Sequence, residues 1–79
     1  MNKNSPIKRS VRISGHRTSV SLEPEFWGEF EKMAREKGKP VSALVAEADS
    51  VRQGNLSSEL RLMVLRHLRK AVGSLRGSE

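Results

Sequence analysis

The alternating segment at residues 17–22 constrains the fold more than any other part of the chain. Thr18, Val20 and Leu22 alternate with polar side chains, which predicts a β-strand with one buried face. Pro24 then predicts a helix start, because its missing N–H has no partner in a first helical turn. A strand needs a second strand for its backbone hydrogen bonds, and no other segment alternates as clearly. We therefore predict that it pairs antiparallel with the same strand of a second copy, forming a homodimer.

Such a two-stranded ribbon presents Arg17, Ser19 and Ser21 of each copy on its outer face. A ribbon of two strands has the width to enter a DNA major groove, and Arg17 can bond both acceptors of a guanine edge. The sequence therefore predicts double-stranded DNA as the partner of this face.

The size and the absence of cysteine narrow the alternatives. With 79 residues the chain is one domain, and without cysteine it has no disulfide and no thiolate metal site. A core this small is often completed by oligomerisation, which agrees with the unpaired strand. The two histidines, His16 and His67, are far apart, and no nucleophile has a motif around it. We expect no enzyme activity, no metal and no cofactor.

The net charge of +6 is distributed unevenly. Residues 1–22 carry five Lys or Arg side chains and no acid, whereas residues 23–49 carry seven acids against four cations. This pattern indicates a polyanion on the strand side, although basic termini also serve as solubilising tails. No segment approaches the roughly 20 apolar residues of a membrane span, and the N-terminus is not a signal peptide. We expect a cytoplasmic protein without membrane contact.

The chain divides into a flexible basic arm at residues 1–10, a domain at residues 11–72 and a tail at residues 73–79. Residues 11–14 form a short strand or pack their apolar side chains on the surface, and Gly15 marks a bend. The first helix is predicted at residues 24–37, with Phe26, Phe30, Met33 and Ala34 on one apolar stripe and Trp27 at its edge. Gly38 ends it.

A second helix opens at residues 39–42 and carries an apolar stripe to Val51. Its free N–H groups, with Lys39, Val41 and Ser42, form either a DNA phosphate clamp or an ordinary helix start. A third helix is predicted at residues 56–72, with a stripe through Leu56, Leu60, Met63, Val64, Leu68 and Val72. It closes the dimer core, lies on a membrane surface or docks another protein; the small size of the rest of the core favours the first.

The motifs together resemble ribbon-helix-helix proteins of the Arc, MetJ and CopG type, across residues 8–69. Within that type the chain resembles a small bacterial subgroup with a Gly-His-Arg-Thr-Ser strand motif. The resemblance is carried by residues 8–12 (KRSVR), residues 15–23 (GHRTSVSLE), Phe26-Trp27, Leu44-Val45 and residues 55–58 (NLSS). It implies a mostly α fold with one strand, an intertwined homodimer with a two-stranded antiparallel ribbon, and an extra C-terminal helix. The sequence departs from the family at Pro40, where a side-chain cap is common.

The resemblance also implies that Arg17, Ser19 and Ser21 contact bases and that residues 40–42 clamp the DNA backbone. The residues themselves further predict phosphate contacts and a dimer core. The expected phosphate contacts are Lys8, Arg9, Arg12, His16, Lys39, Val41 and Ser42. For His16 the alternative, a solvated loop residue beside the ribbon, is favoured. The expected dimer core consists of Val20, Leu22, Phe26, Trp27, Phe30, Leu44, Val45, Ala48, Leu60 and Val64.

These features predict a transcriptional repressor that reads the major groove. The alternative is a protein-interaction module, such as an antitoxin or an adaptor, that uses the fold for dimerisation and its C-terminal helix for a partner. RNA binding ranks lower, because no exposed aromatic residues stand in a strand.

Overall fold

The structure is a computed structural model that describes residues 5–75, with side chains described to residue 73. A two-stranded antiparallel sheet precedes three helices. The elements are β1 (Ile7–Ile13), β2 (His16–Leu22), α1 (Pro24–Lys37), α2 (Val41–Val51) and α3 (Leu56–Leu75).

The two strands form a hairpin within one chain. Ser14 and Gly15 connect them with φ of 51° and 82°. Two central residues with positive φ are typical of the type I′ turn, whose twist matches that of the flanking strands. The prediction that residues 17–22 lack a mate within their own chain is therefore wrong, because each chain has two strands and not one. The predicted two-stranded antiparallel ribbon and the extra C-terminal helix are confirmed. The expected homodimer is no longer required by an unpaired strand.

Strand β1 also corrects the prediction of a flexible arm at residues 1–10, because the strand begins at Ile7. Of the two alternatives for residues 11–14, the strand is confirmed for Val11–Ile13 and extends four residues further toward the N-terminus. The sequence hid this strand because one of its inward positions is a charged residue, Arg9. Residues 1–4 of the predicted arm lie outside the described residues.

The helix bounds follow from local signals. Pro24 begins α1, and Gly38 ends it with φ of 66°, donating its N–H to the Arg35 carbonyl while Lys39 donates to that of Ala34. Asn55 caps the N-terminus of α3, because its Oδ1 accepts the Ser58 N–H at 3.0 Å. The predicted end of the third helix at residue 72 is too early. The helix continues to Leu75, so the tail prediction is wrong for residues 73–75, and residues 76–79 lie outside the described range.

The core lies between the sheet and the three helices of a single chain. Its buried members are Val20, Leu22, Phe30, Met33, Ala34, Leu44, Val45, Ala48, Leu56, Leu60 and Val64. Eight of the ten residues expected in a dimer core are among them, and Phe26 and Trp27 pack against them half-buried. A contribution of these residues to a second chain stays a prediction. Within residues 5–75, no helix is both long enough and apolar enough to cross a membrane.

Candidate nucleic-acid interface

The outer face of the hairpin is polar on both strands. On β2, Thr18, Val20 and Leu22 turn inward, while Arg17 and Ser19 are exposed and Ser21 is half-buried. On β1 the inward positions are Arg9, Val11 and Ile13, and the outward positions Lys8, Ser10 and Arg12 are exposed. The alternation predicted for residues 17–22 is confirmed. The hairpin adds a second row of side chains to the same face.

The register pairs these outward residues across the two strands. The pairs are Lys8 with Ser21, Ser10 with Ser19, and Arg12 with Arg17. Two arginines directly opposite each other repel, which destabilises a sheet unless an anion is bound between or above them. Residues 5–22 contain no acid that neutralises the pair. The face therefore carries three cations, Lys8, Arg12 and Arg17, with serine hydroxyls between them.

The last outward residue of β2 is held by α3. The Ser21 N–H donates to Ser57 Oγ at 2.9 Å, and Arg61 Nη2 donates to the Ser21 carbonyl at 3.3 Å. In an antiparallel pair, successive residues point their backbone groups to opposite edges. At Ser21 these groups point away from β1, and α3 covers the edge there with Ser57 and Arg61.

Arg61 also binds Glu23, the residue between β2 and α1. Arg61 Nε lies 3.0 Å from Glu23 Oε1. The hydrogen bond from Arg61 lowers the pKa of Glu23 below its ordinary value of 4.5, and the Coulombic attraction adds to it. Sequence reasoning missed Ser57 and Arg61 as residues that position the interface. These bonds join residues 36 to 40 positions apart, and no local pattern encodes such a distance.

Arg9 is separate from the outer face. Its guanidinium carbon lies 4.6 Å from the centroid of the Trp27 ring, on the inward side of β1. Its Nη1 is enclosed and has no hydrogen-bond partner within the described part of the chain. The structure thus places Lys8 and Arg12 beside Arg17 but turns Arg9 toward α1. The phosphate contact expected of Arg9 stays a prediction that this orientation does not favour.

The start of α2 is where the sequence predicts either a phosphate clamp or an ordinary helix start. Pro40 is its N-cap and supplies no side-chain hydrogen bond. Lys39 Nζ forms an ion pair with Glu47, so its charge is partly neutralised. Val41 packs against the core, and Ser42 is half-buried. Helix α2 packs against β1, and the phosphate contact of its first turn stays a prediction.

His16 lies at the turn end of the hairpin, opposite Ile13, and is exposed. His16 does not belong to the row of outward-facing residues, so it could contact DNA only at the turn of the hairpin. Among residues 5–75, no three His, Cys, Asp or Glu side chains form a cluster suited to a metal ion.

A small domain with a cationic hairpin face over three helices is the class that these observations define. The family model of the ribbon-helix-helix domain matches residues 6–68, and the chain belongs to this family. Such domains are typically DNA-binding transcription regulators or antitoxins, they typically form dimers, and they are generally not enzymes.

A solved structure, that of an uncharacterized protein from Bordetella pertussis Tohama I, is similar to this chain. It matches with a TM-score of 0.73 and 30% sequence identity, over 96% of this chain and 66% of its own. This chain therefore spans about two thirds of the length of that protein. No curated protein matches the sequence.

Proposed function

We propose that this protein is a sequence-specific transcription regulator, acting as a repressor in the cytoplasm, that inserts the outer face of its hairpin into the DNA major groove. The observation that carries the proposal is the Arg12–Arg17 pair on a face with no acid. A like-charged pair opposite each other is unfavourable in the free protein and becomes favourable against a polyanion.

The dimensions of the hairpin suit the groove. Paired strands lie about 4.8 Å apart, and seven residues extend about 20 Å. A B-DNA major groove is about 12 Å wide and admits a two-stranded ribbon. The side chains of β1 and β2 can therefore reach base edges and groove walls together.

The residues divide into base readers and phosphate contacts. Arg17 has the fork geometry that bonds guanine O6 and N7, whereas Ser19 and Ser21 are short and discriminate less. Lys8 and Arg12 are on the neighbouring strand, where contacts to the phosphates would orient the hairpin and make affinity depend on salt. One arginine per chain supplies little sequence discrimination. We therefore expect two chains to bind together on an inverted-repeat site.

Selection of bound DNA sequences at physiological salt tests the proposal. For Arg17→Ala we expect discrimination at one base position of each half-site to fall by about 1–3 kcal/mol. For Arg12→Ala we expect weaker binding to all sequences and a salt slope smaller by about one. Arg35→Ala, an exposed arginine on α1 with the same change of charge, is the matched control and should leave discrimination intact.

Two results would contradict the proposal. One is an Arg17→Ala variant that selects the same site as strongly as the wild type. The other is a wild-type protein whose selected pool shows no sequence preference above that of the Arg17→Ala variant.

A second candidate function is favoured by α3. Leu62, Leu65, Leu68 and Val72 are 39–50% exposed and lie along one side of the helix, so they form an exposed apolar stripe. Such a stripe fits a partner protein, as in an antitoxin or an adaptor. Co-expression with the products of adjacent genes, followed by gel filtration, tests it. Leu65→Glu should release a partner bound there, whereas Val51→Glu, an exposed apolar residue on α2, should retain it.

A further inference from the structure

We propose that a groove between α1, α2 and α3 binds a small amphipathic anion, an apolar body with one carboxylate-like head, and that this ligand adjusts the hairpin through α3. The groove lies where the C-terminal parts of α1 and α2 meet the middle of α3, with a volume of about 370 Å³. The binding part of the proposal stands independently, and the regulatory part rests on the proposed DNA-binding function.

The floor of the groove is apolar and adaptable. It is formed by Met33 of α1 and Met63 of α3, and Val51 of α2 lies at its edge. Methionine side chains are flexible and polarisable, and they accommodate apolar ligands of irregular shape. Val51 is 64% exposed, which is the largest exposure of any large apolar side chain in the described residues. A bound apolar chain would cover it.

The rim of the groove carries an excess of positive charge. Its two acids are already paired, because Glu59 binds Arg66 at 2.9 Å and Glu47 binds Lys39. Lys37 and Lys70 also line the groove, and neither forms an ion pair with another described residue. The site therefore offers two ammonium groups over an apolar floor, which fits an anionic head on an apolar body.

The same charge pattern argues against a nucleic acid in this groove. A phosphate backbone needs cations along a track and gains nothing from an apolar floor. A small molecule uses both features, and small-molecule sites of about 300–1,000 Å³ are common.

Helix α3 connects the groove to the interface. Met63, Arg66 and Lys70 line the groove, while Ser57 and Arg61 of the same helix hold Ser21. With a rise of about 1.5 Å per residue, Arg61 and Arg66 are separated by about 7.5 Å along the axis. A ligand that draws α3 toward α1 and α2 changes the position of both groups on Ser21. It therefore changes the fit of the hairpin to DNA.

NMR of the full chain with [methyl-13C]methionine tests the binding part. Octanoate is the probe, with octanol as the neutral analogue of the same chain length and acetate as the head group alone. We expect the Met33 and Met63 methyl signals to shift saturably with octanoate, less with octanol and not with acetate. No saturable shift, or equal affinity for octanol, would overturn the assignment.

Charge variants separate the groove from general charge effects. The double variant Lys37→Gln with Lys70→Gln should bind octanoate roughly fivefold more weakly, since two exposed charge contacts are lost. The matched control is Lys32→Gln with Arg35→Gln, on α1 outside the groove, which should bind like the wild type. Equal weakening in both double variants would overturn the site.

DNA affinity tests the regulatory part. The wild-type protein should bind its selected DNA with a different Kd in saturating octanoate, and the Lys37→Gln, Lys70→Gln variant should need roughly fivefold more octanoate for the same change. Saturable methyl shifts with an unchanged DNA Kd would overturn the regulatory part alone. The Arg17→Ala selection tests the proposed DNA-binding function by itself. The methyl shifts are measured without DNA, so they test ligand binding even if that function fails.

Discussion

Along α3, the residues Leu56, Leu60 and Val64 are at most 6% exposed, whereas Leu65, Leu68 and Val72 of the same helix are at least 39% exposed. An α-helix advances about 100° per residue, so Val72 lies about 120° around the helix from Leu60. Apolar residues spaced three or four positions apart therefore rotate around the helix, and over twelve residues they no longer face the core. The buried apolar side chains of α3 end at Val64, and the apolar side chains of its second half are exposed. The spacing of apolar residues therefore predicts a helix, but it does not predict how many of its turns are buried against the rest of the domain.

The strongest test of this comparison is a pair of identical truncations. Leu60→Ala should lower the free energy of unfolding by about 2–5 kcal/mol, because a fully buried side chain leaves a cavity. Leu68→Ala should change it by no more than about 0.5 kcal/mol, as for a surface position. Urea denaturation of both variants measures the difference. A large effect of Leu68→Ala in a monomeric sample would show that the second half is packed.

A smaller effect is expected at the contact between α3 and β2. Ser57→Ala removes the acceptor of the Ser21 N–H and should cost about 1 kcal/mol. The neighbouring Ser58→Ala is the control, since that side chain is exposed. Urea midpoints give the cost, and amide exchange at Ser21 should accelerate only in Ser57→Ala. Unchanged exchange at Ser21 would mean that this bond contributes nothing to holding the strand.

Replacement of glycine by alanine should stabilise the protein in α1 but not in the second half of α3. Gly28 in α1 and Gly73 in the second half of α3 both have open space where a Cβ would be added. Alanine should stabilise either helix by about 0.5–1 kcal/mol. For Gly28→Ala we expect this gain in global stability, because α1 is anchored in the core. For Gly73→Ala we expect slower amide exchange near residue 73 and an unchanged urea midpoint.

The smallest effect is the pH dependence of the Glu23–Arg61 pair. The pKa of Glu23 is lowered in the folded state, so its carboxylate stabilises the fold above its ordinary pKa of 4.5. That contribution disappears as the pH falls through the lowered pKa. Wild type should therefore exceed Glu23→Gln in stability at pH 7, and the difference should shrink below about pH 4.5. A difference that is constant from about pH 7 to about pH 3 would exclude this linkage. Denaturation in urea at several pH values measures it.

Much of the fold was predictable from short segments. The alternation at residues 17–22, Pro24 and Gly38 are local signals, and the strand and the first helix are found where these residues place them. The outward direction of Arg17 and Ser19 follows from the same alternation. These predictions succeeded because each depends on backbone geometry within a few residues.

The hairpin was missed because its first strand turns a charged residue inward. Arg9 is tolerated there because its guanidinium stacks over the ring of Trp27 in a cation–π contact. Trp27 lies on α1, outside the hairpin. The pairing of β1 with β2 places Lys8 and Arg12 on the same face as Arg17. The candidate interface is therefore wider than the single strand that the sequence indicated.

The sequence by itself determined where the helices and the principal strand begin and which side of that strand is polar, because capping and periodicity act over a few residues. The tertiary structure decided which strand pairs with it, which cations share its face and how far α3 is covered. Those outcomes depend on contacts between residues distant along the chain, such as Ser21 with Ser57 and Arg61, and contacts of this kind form only once the elements have packed together.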